Sequence, residues 1–292
     1  MAVHAEPVMR VIKPGKKFLP VLLWLTVAGC APALPEFKGR LGPRQEFLTL
    51  ATRPGVTVRV LLMTPKTDPK GILVYFPGGG GTLVDSDGRL RFGPFLSRLS
   101  EQPFVTVALD MPSDHAGGIA GTDHFITSME YMEDIKTVLD LLHRRWIQPL
   151  FLVGHSGGTT TVAHLGAFLK DQRIGGLVLL AAISRHPPGG VSLANLPLHE
   201  ITYPVLFVHH RDDQCVSFAG AQQQLPRLVR SPKVDFIEVL GGDPSKAHHC
   251  SPFAMRQGPP NHGHFFAGKE HEVFQAIADW ITGKPVPDRI GP

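Results

Sequence analysis

The sequence predicts an α/β fold in which a mostly parallel central sheet is covered by helices on both faces. Two observations lead to this prediction. Strand-like and helix-like segments alternate along residues 46–284, as they do in a single α/β domain. Several strand-like segments are also almost continuously apolar, which is typical of strands buried on both faces of a parallel sheet. These segments are residues 72–76, 104–109, 150–153, 177–182 and 204–208.

The individual elements follow from their hydrophobic periodicity. The segment VTVRVLLM, residues 56–63, has the β-branched alternation of a strand. Residues 128–146 carry apolar side chains at spacings of three and four, which predicts an amphipathic helix. Further strands are predicted within 71–81, 104–112, 149–154, 174–184, 203–213 and 233–242, and further helices over 159–170 and 270–283.

The composition agrees with a folded domain that has a sizeable core. Of the 292 residues, 43% are hydrophobic and 18% are charged, which argues against a disordered chain. The formal net charge is only +4, and the body of the chain has no dense block of Lys and Arg. We therefore expect no nucleic-acid partner.

The N-terminus is predicted to be a signal peptide, residues 1–29. A 12-residue apolar stretch, residues 18–29, follows several basic residues. This stretch is too short to span a membrane but has the length of a signal-peptide hydrophobic region. Translation could start at Met1 or at Met9, which would leave a shorter basic region.

The signal peptide ends in VAGC, which resembles a bacterial lipobox. This resemblance implies cleavage before Cys30, lipid on its thiol and a membrane anchor. The residue after the cysteine is Ala31 and not an Asp. In such lipoproteins, this points to the outer membrane, with the domain facing the periplasm. The alternative is an ordinary secretory signal with an incidental cysteine. The Pro- and Gly-rich residues 30–45 are predicted to be a tether, and residues 285–292 a Pro-rich tail.

The motif Gly154-His155-Ser156-Gly157-Gly158 fits the pattern G-x-S-x-G. A strand-like run precedes it and a helix-like run follows it, which is the setting that a nucleophile elbow requires. In that setting Ser156 projects into open space as a nucleophile. The Gly157 N–H lies at the helix N-terminus, where it can stabilise an oxyanion.

A serine nucleophile needs a histidine base and a carboxylate that orients the base. Beyond Ser156, the carboxylates at the correct edge of the sheet are Asp212 and Asp213, directly after the 203–211 strand. Four histidines lie between the next strand and the last helix: His248, His249, His262 and His264.

The run FPGGGG, residues 76–81, offers the second part of an oxyanion hole, because glycines let backbone N–H groups approach a substrate closely. Gly79 is the preferred donor and Gly80 the alternative. A phosphate-binding loop is disfavoured, since no Lys-Ser or Lys-Thr pair follows the glycines.

Glycine loop, elbow, acid and base occur in this order along residues 46–284, and together they resemble the α/β-hydrolase superfamily, in particular its serine esterases, lipases and dienelactone hydrolases. DDQCV is similar to the D-x-x-V segment of that family, which favours Asp213 over Asp212. HFFAGK is similar to its H-F-F-x-G-K segment, which favours His264, while HGHF keeps His262 as the alternative.

The resemblance implies a serine hydrolase that cleaves a small-molecule carboxylic ester through an acyl-enzyme, without metal or other cofactor. Only residues 184–203 lie between the predicted strand that ends near Ile183 and the one that starts near Tyr203, so we expect little or no lid and a substrate that is small or exposed. The alternatives are a peptidase or amidase with the same triad, and a non-catalytic binding lipoprotein on a hydrolase scaffold.

Two further cysteines, Cys215 and Cys250, lie in the loops that carry the predicted acid and base. Thiols of an exported chain meet an oxidising compartment, so we expect these two to form a disulfide. A metal site built from these cysteines and the neighbouring histidines is disfavoured, because adjacent histidine pairs are an uncommon ligand spacing.

Overall fold

A central sheet organises the protein in the computed structural model, which describes residues 34–118, 124–185, 190–246 and 263–292. The strands are β1 (Gln45–Arg53), β2 (Val56–Met63), β3 (Ile72–Phe76), β4 (Val105–Pro112), β5 (Leu150–His155), β6 (Ile174–Leu180), β7 (Val205–His210), β8 (Val234–Val239) and β9 (Arg289–Ile290). Their order is β1-β2-β4-β3-β5-β6-β7-β8-β9. β1 and β2 pair antiparallel, β2 pairs antiparallel with β4, and the remaining neighbours are parallel.

The described helices are α1 (Gly93–Leu99), α2 (Met129–Arg145), α3 (Gly158–Phe168), α4 (Phe218–Gln222) and α5 (Glu270–Ile281). α2 begins at a capping residue, because the Ser128 hydroxyl accepts a hydrogen bond of 3.1 Å from the Tyr131 N–H. The basic residues His143, Arg144 and Arg145 lie in its last turn. Basic side chains interact favourably there with the negative end of the helix dipole. The predicted helices at 128–146, 159–170 and 270–283 therefore form α2, α3 and α5.

The sheet is buried on both faces. Successive side chains of a strand point to opposite faces, so Val74 packs into one core and Tyr75 into the other. α2 and α3 cover the first core, and α1 and α5 cover the second. This arrangement confirms the predicted α/β fold with helices on both faces, and it explains why the central strands are apolar without interruption.

Four described helices and strands had no sequence prediction: β1, α1, α4 and β9. β1 has half-buried and exposed positions in irregular succession, because it is an edge strand paired only with β2. α1 is only seven residues long and begins with Gly93 and Pro94. Such a short segment gives too few turns for a helical period to be recognised.

The ordered domain extends beyond residues 46–284 at both ends. In the predicted tail, Ile290 is buried and β9 pairs with β8, where the Leu240 N–H donates to the Ile290 carbonyl over 2.8 Å. In the predicted tether, the Phe37 ring lies 5.3 Å from the Phe47 ring. Short extended pieces rich in Pro and Gly leave no periodic signal, so the sequence did not predict these contacts.

The segment between β6 and β7 contains, in its described part, only two short 3-10 turns, Leu193–Asn195 and Leu198–Glu200. The described residues thus form no lid domain there, in agreement with the prediction. None of the described helices has the length and apolarity needed to cross a bilayer. The predicted signal peptide and Cys30 lie outside the described residues.

Candidate active site

Backbone strain is concentrated near the carboxyl edge of the sheet. Four described non-glycine residues have positive φ: Phe92 (59°), Ser156 (51°), Ala181 (48°) and Phe266 (56°). Ser156 directly follows β5, and Ala181 directly follows β6. Residues with a Cβ adopt this conformation at a cost of about 1–3 kcal/mol, and such residues cluster at functional sites. The strained residues therefore lie at the edge of the sheet where the sequence predicts the catalytic residues.

Ser156 occupies a sharp turn between β5 and α3, and it is half-buried. Its N–H donates to the Leu180 carbonyl of the next strand over 2.9 Å. The flanking glycines are sterically required. A Cβ on Gly154 would lie 2.5 Å from the Gly158 carbonyl oxygen, and one on Gly158 would lie 2.0 Å from the Phe76 carbonyl oxygen. The motif thus has the strand–turn–helix geometry of a nucleophile elbow.

Asp213 and His264 are brought together from two loops. The His264 Nδ1 and the Asp213 Oδ2 are 2.9 Å apart, and the two side chains are only 4% and 0% exposed. The other carboxylate oxygen of Asp213 accepts hydrogen bonds from the N–H groups of Cys215 (2.8 Å) and Val216 (3.3 Å). The carboxylate is therefore fixed in place by two backbone donors and the imidazole.

The charge state of this pair follows from its surroundings. Burial opposes ionisation of Asp213, but the hydrogen bond and charge of His264 together with the Cys215 N–H outweigh it, so the pKa of Asp213 lies below its ordinary value. An ionised carboxylate can only accept hydrogen bonds, so the proton between the two groups belongs to His264 Nδ1. In the neutral imidazole, the lone pair then lies on Nε2.

The structure describes the alternative acid, Asp212, but not the alternative base, His262. Asp212 is exposed, and its N–H donates to His210 Nδ1 over 3.1 Å, away from His264. His262, the alternative base, lies outside the described residues, as do His248 and His249.

Cys215 is half-buried beside the acid and base. One potential metal ligand from each of Asp213, Cys215 and His264 lies within 4.8 Å of the others. A metal there would compete for the His264 Nδ1 that already binds Asp213. Cys250 lies outside the described residues, so the disulfide between Cys215 and Cys250 stays a prediction.

His155, which the sequence reasoning passed over, links the elbow to the base loop. Its Nε2 donates to the main-chain carbonyl of His264 over 2.8 Å, and its ring lies 4.7 Å from the Phe265 ring. No hydrogen bond joins Ser156 Oγ to His264 within the described residues. Catalytic hydrogen bonds are often long in the absence of substrate and tighten on binding. The only sequence signal for His155 was its place as the second residue of the elbow motif.

We expect the protein to lose stability in mild acid because of His155. Burial lowers the pKa of His155 from the ordinary 6.5 to about 3. Between these values the unfolded chain binds a proton that the folded chain does not. Stability is therefore full above pH 6.5 and falls as the pH decreases, by up to about 2 kcal/mol at pH 5 for this one group. Burial also lowers the pKa values of His164 and His209, which adds to the effect.

The measurement is the thermal midpoint at about pH 7.5 and at about pH 5. His155→Gln should show a smaller drop than the wild type. His199→Gln, at a side chain that is 60% exposed, is the matched control and should keep the full drop. An equal drop in wild type and His155→Gln would contradict the assignment.

The predicted oxyanion donors, Gly79 and Gly157, are neighbours. A Cβ on Gly157 would lie 3.2 Å from the carbonyl oxygen and 3.4 Å from the nitrogen of Gly79. A Cβ on Gly78 would lie 2.7 Å from Ser156 Cβ, so the glycine loop passes directly over the serine. Gly80, the alternative donor, lies against Gly118 instead.

A pocket opens beside these glycines, with about 280 Å³ of empty volume. Most of its lining is apolar, and both Gly79 and Gly157 contribute to its wall. The lining residues are Phe76, Pro77, Gly79, Gly81, Met111, Ile126, Tyr131, Gly157 and Thr161. This volume includes space open to solvent, and the enclosed part has room for little more than a water molecule, so the pocket suits only a small group.

Comparison with known proteins agrees with this description. Residues 67–198 match the family model described as serine aminopeptidase, S33, a range that includes Ser156 but neither Asp213 nor His264. No curated protein shows a significant sequence match to the chain.

Several solved structures share the fold. An alpha-beta serine hydrolase homologue from Coxiella burnetii is 19% identical, with a TM-score of 0.53, over 82% of this chain and 98% of that one. Est1E from Butyrivibrio proteoclasticus is 15% identical, with a TM-score of 0.54, over 81% and 98%. A thermostable carboxyl esterase from Bacillus coagulans is 16% identical, with a TM-score of 0.52, over 83% and 99%. These likenesses confirm the predicted α/β-hydrolase fold.

Proposed function

Because the chain has the α/β-hydrolase fold, we propose that it is a serine hydrolase that cleaves carboxylic esters with the triad Ser156, Asp213 and His264. One observation carries the proposal: a buried Asp213–His264 hydrogen bond of 2.9 Å forms on the same sheet edge as the strained Ser156 elbow. An orienting acid, a histidine base and a nucleophilic hydroxyl are the three groups that acyl transfer needs.

The first half-reaction forms an acyl-enzyme. Ser156 Oγ attacks the ester carbonyl carbon while His264 Nε2 takes the hydroxyl proton. The N–H groups of Gly79 and Gly157 stabilise the resulting oxyanion, and Asp213 stabilises the imidazolium. The tetrahedral intermediate collapses when the bond to the alcohol oxygen breaks, and His264 gives its proton to the departing alcohol.

The second half-reaction restores the enzyme. Water attacks the acyl carbon and gives a proton to His264 Nε2. The bond to Ser156 Oγ then breaks, the serine recovers its proton from His264, and the carboxylic acid leaves.

The shape of the site supports a small substrate. The pocket beside Gly79 and Gly157 is small and apolar, and the described residues between β6 and β7 add no cap over it. Long acyl chains need a deeper or covered groove to lose their contact with water.

One observation favours a second function, peptide or amide hydrolysis: the matching family model is described as a serine aminopeptidase. A panel separates the two. We expect the purified protein to hydrolyse 4-nitrophenyl acetate and butyrate faster than the octanoate, and to leave aminoacyl 4-nitroanilides almost intact. Higher kcat/KM on the nitroanilides would favour the aminopeptidase. No turnover of either class would favour the binding lipoprotein.

We also propose that the protein works at the bacterial cell envelope, anchored through lipid on Cys30 in the outer membrane and facing the periplasm. The support is the VAGC segment after a short apolar stretch. Mass spectrometry of the mature N-terminal peptide tests this proposal, since it would begin at an acylated Cys30.

A further inference from the structure

Arg91 differs from the other arginines that are buried or half-buried in the described residues. Most of these pair with a carboxylate, namely Arg53, Arg59 and Arg173. Arg227 has no carboxylate partner but donates to three oxygen acceptors. Arg91 is half-buried, and its side chain has one described acceptor, the Thr82 hydroxyl at 2.9 Å. A guanidinium has five N–H donors, so most of its hydrogen-bonding capacity is unused.

This guanidinium lies next to the proposed oxyanion hole. A Cβ on Gly79 would be 3.6 Å from Arg91 Nη2. The other side of the guanidinium faces the Phe92 ring, at 5.7 Å from its centroid. The Phe92 ring is itself 6.0 Å from that of Phe265, the neighbour of the proposed base. Arg91 therefore lies between the glycine loop and the aromatic rings of Phe92 and Phe265.

The position of Arg91 is held from several directions. Its main-chain N–H donates to the Leu83 carbonyl over 2.7 Å, and the Thr82 hydroxyl and the Phe92 ring fix its side chain. Phe92 adopts a strained φ of 59° directly after it. A cation that is fixed and partly removed from water without a counter-ion is unfavourable unless an anion joins it.

We propose that Arg91 binds a carboxylate carried by the ester substrate, so that the enzyme prefers anionic esters. The inference rests on the proposed function and adds the charge of the substrate to it. A carboxylate fits the planar fork of a guanidinium with two parallel hydrogen bonds. Seated on Arg91, it would place the rest of a short ester at the glycine loop and Ser156.

Two matched substrate pairs test the proposal. One pair is 4-nitrophenyl valerate and the 4-nitrophenyl monoester of glutarate, which place the charge on the acyl side. The other is phenyl acetate and 4-acetoxybenzoate, which place it on the alcohol side. The readout is the ratio of kcat/KM for the charged ester to that for the neutral one, after subtraction of spontaneous hydrolysis.

In at least one pair we expect a ratio above about ten for the wild type, which Arg91→Met reduces to near one, since a charge-assisted hydrogen bond contributes about a factor of ten or more. The matched control is Arg89→Met, at a side chain that is 80% exposed in the same loop. This variant should keep the wild-type ratio. Loss of the ratio in this control would show that the preference comes from the net charge of the protein and not from Arg91.

Besides loss of the ratio in the control, two results would overturn the inference: a wild-type ratio near one in both pairs, or an Arg91→Met variant in which charged and neutral esters slow equally. The second result would show that Arg91 stabilises the glycine loop and does not bind the substrate carboxylate. Neither result would contradict the proposed ester hydrolysis, because turnover of the neutral esters measures that activity separately.

Discussion

Replacing Ser156 with alanine should reduce kcat on ester substrates by about 10⁴- to 10⁶-fold and leave the fold intact. The change removes only the Oγ atom, and no described residue depends on that atom for a hydrogen bond. The loss is large because the acyl-enzyme can no longer form and the proton acceptor His264 has no hydroxyl to activate, which leaves only the residual effect of the oxyanion donors. The measurement is ester turnover beside the far-ultraviolet circular dichroism spectrum and the thermal midpoint. Turnover within tenfold of the wild type would contradict the proposed nucleophile.

A second variant at the same position uses the strained backbone. Ser156 has a φ of 51°, which any residue with a Cβ adopts at a cost, whereas glycine adopts it freely. Ser156→Gly should therefore be inactive yet more stable than Ser156→Ala by about 1 kcal/mol, after the greater freedom of glycine in the unfolded chain is counted. Urea denaturation of the two variants measures the difference. Equal or lower stability of the glycine variant would show that the turn stores no strain.

Asp213→Asn should lower kcat by about 10⁴-fold. The amide can still accept the Cys215 N–H, but its NH₂ group then faces His264 Nδ1. That contact favours the tautomer with the proton on Nε2, which cannot take the proton of Ser156. The expected loss is in kcat, with the pocket beside Gly79 unchanged.

Asp212 provides the matched control for this variant, since it is the neighbouring carboxylate and is exposed. Asp212→Asn removes the same charge from the same loop and should keep nearly full activity. A large loss in Asp212→Asn together with an active Asp213→Asn would reverse the assignment of the acid.

The central sheet and the position of the elbow followed from the sequence because each has a local signature. Strands buried on both faces are continuously apolar, and the elbow needs glycines where a Cβ would collide with Phe76 and Gly158. The sheet edge limited the acid to Asp212 or Asp213, since the carboxyl ends of parallel strands meet at one edge. The choice of Asp213 and of His264 among four histidines came from the resemblance of DDQCV and HFFAGK to family segments.

Other features depend on contacts between distant segments, which a local pattern does not reveal. β9 is two residues long and is defined only by its pairing with β8. The bond from His155 to the His264 carbonyl spans 109 positions. Arg91 has no distinctive neighbours in the sequence. Its significance arises from its place beside Gly79 and from the lack of a carboxylate partner among the described residues.

The most direct test of the account is to label the purified protein with a fluorophosphonate and locate the adduct by peptide mass spectrometry. An activated serine attacks such a probe, and an ordinary one does not. The account predicts one adduct, on Ser156, formed rapidly in the wild type, slowly in Asp213→Asn and at no residue in Ser156→Ala. A folded wild-type protein without an adduct on Ser156 would contradict it.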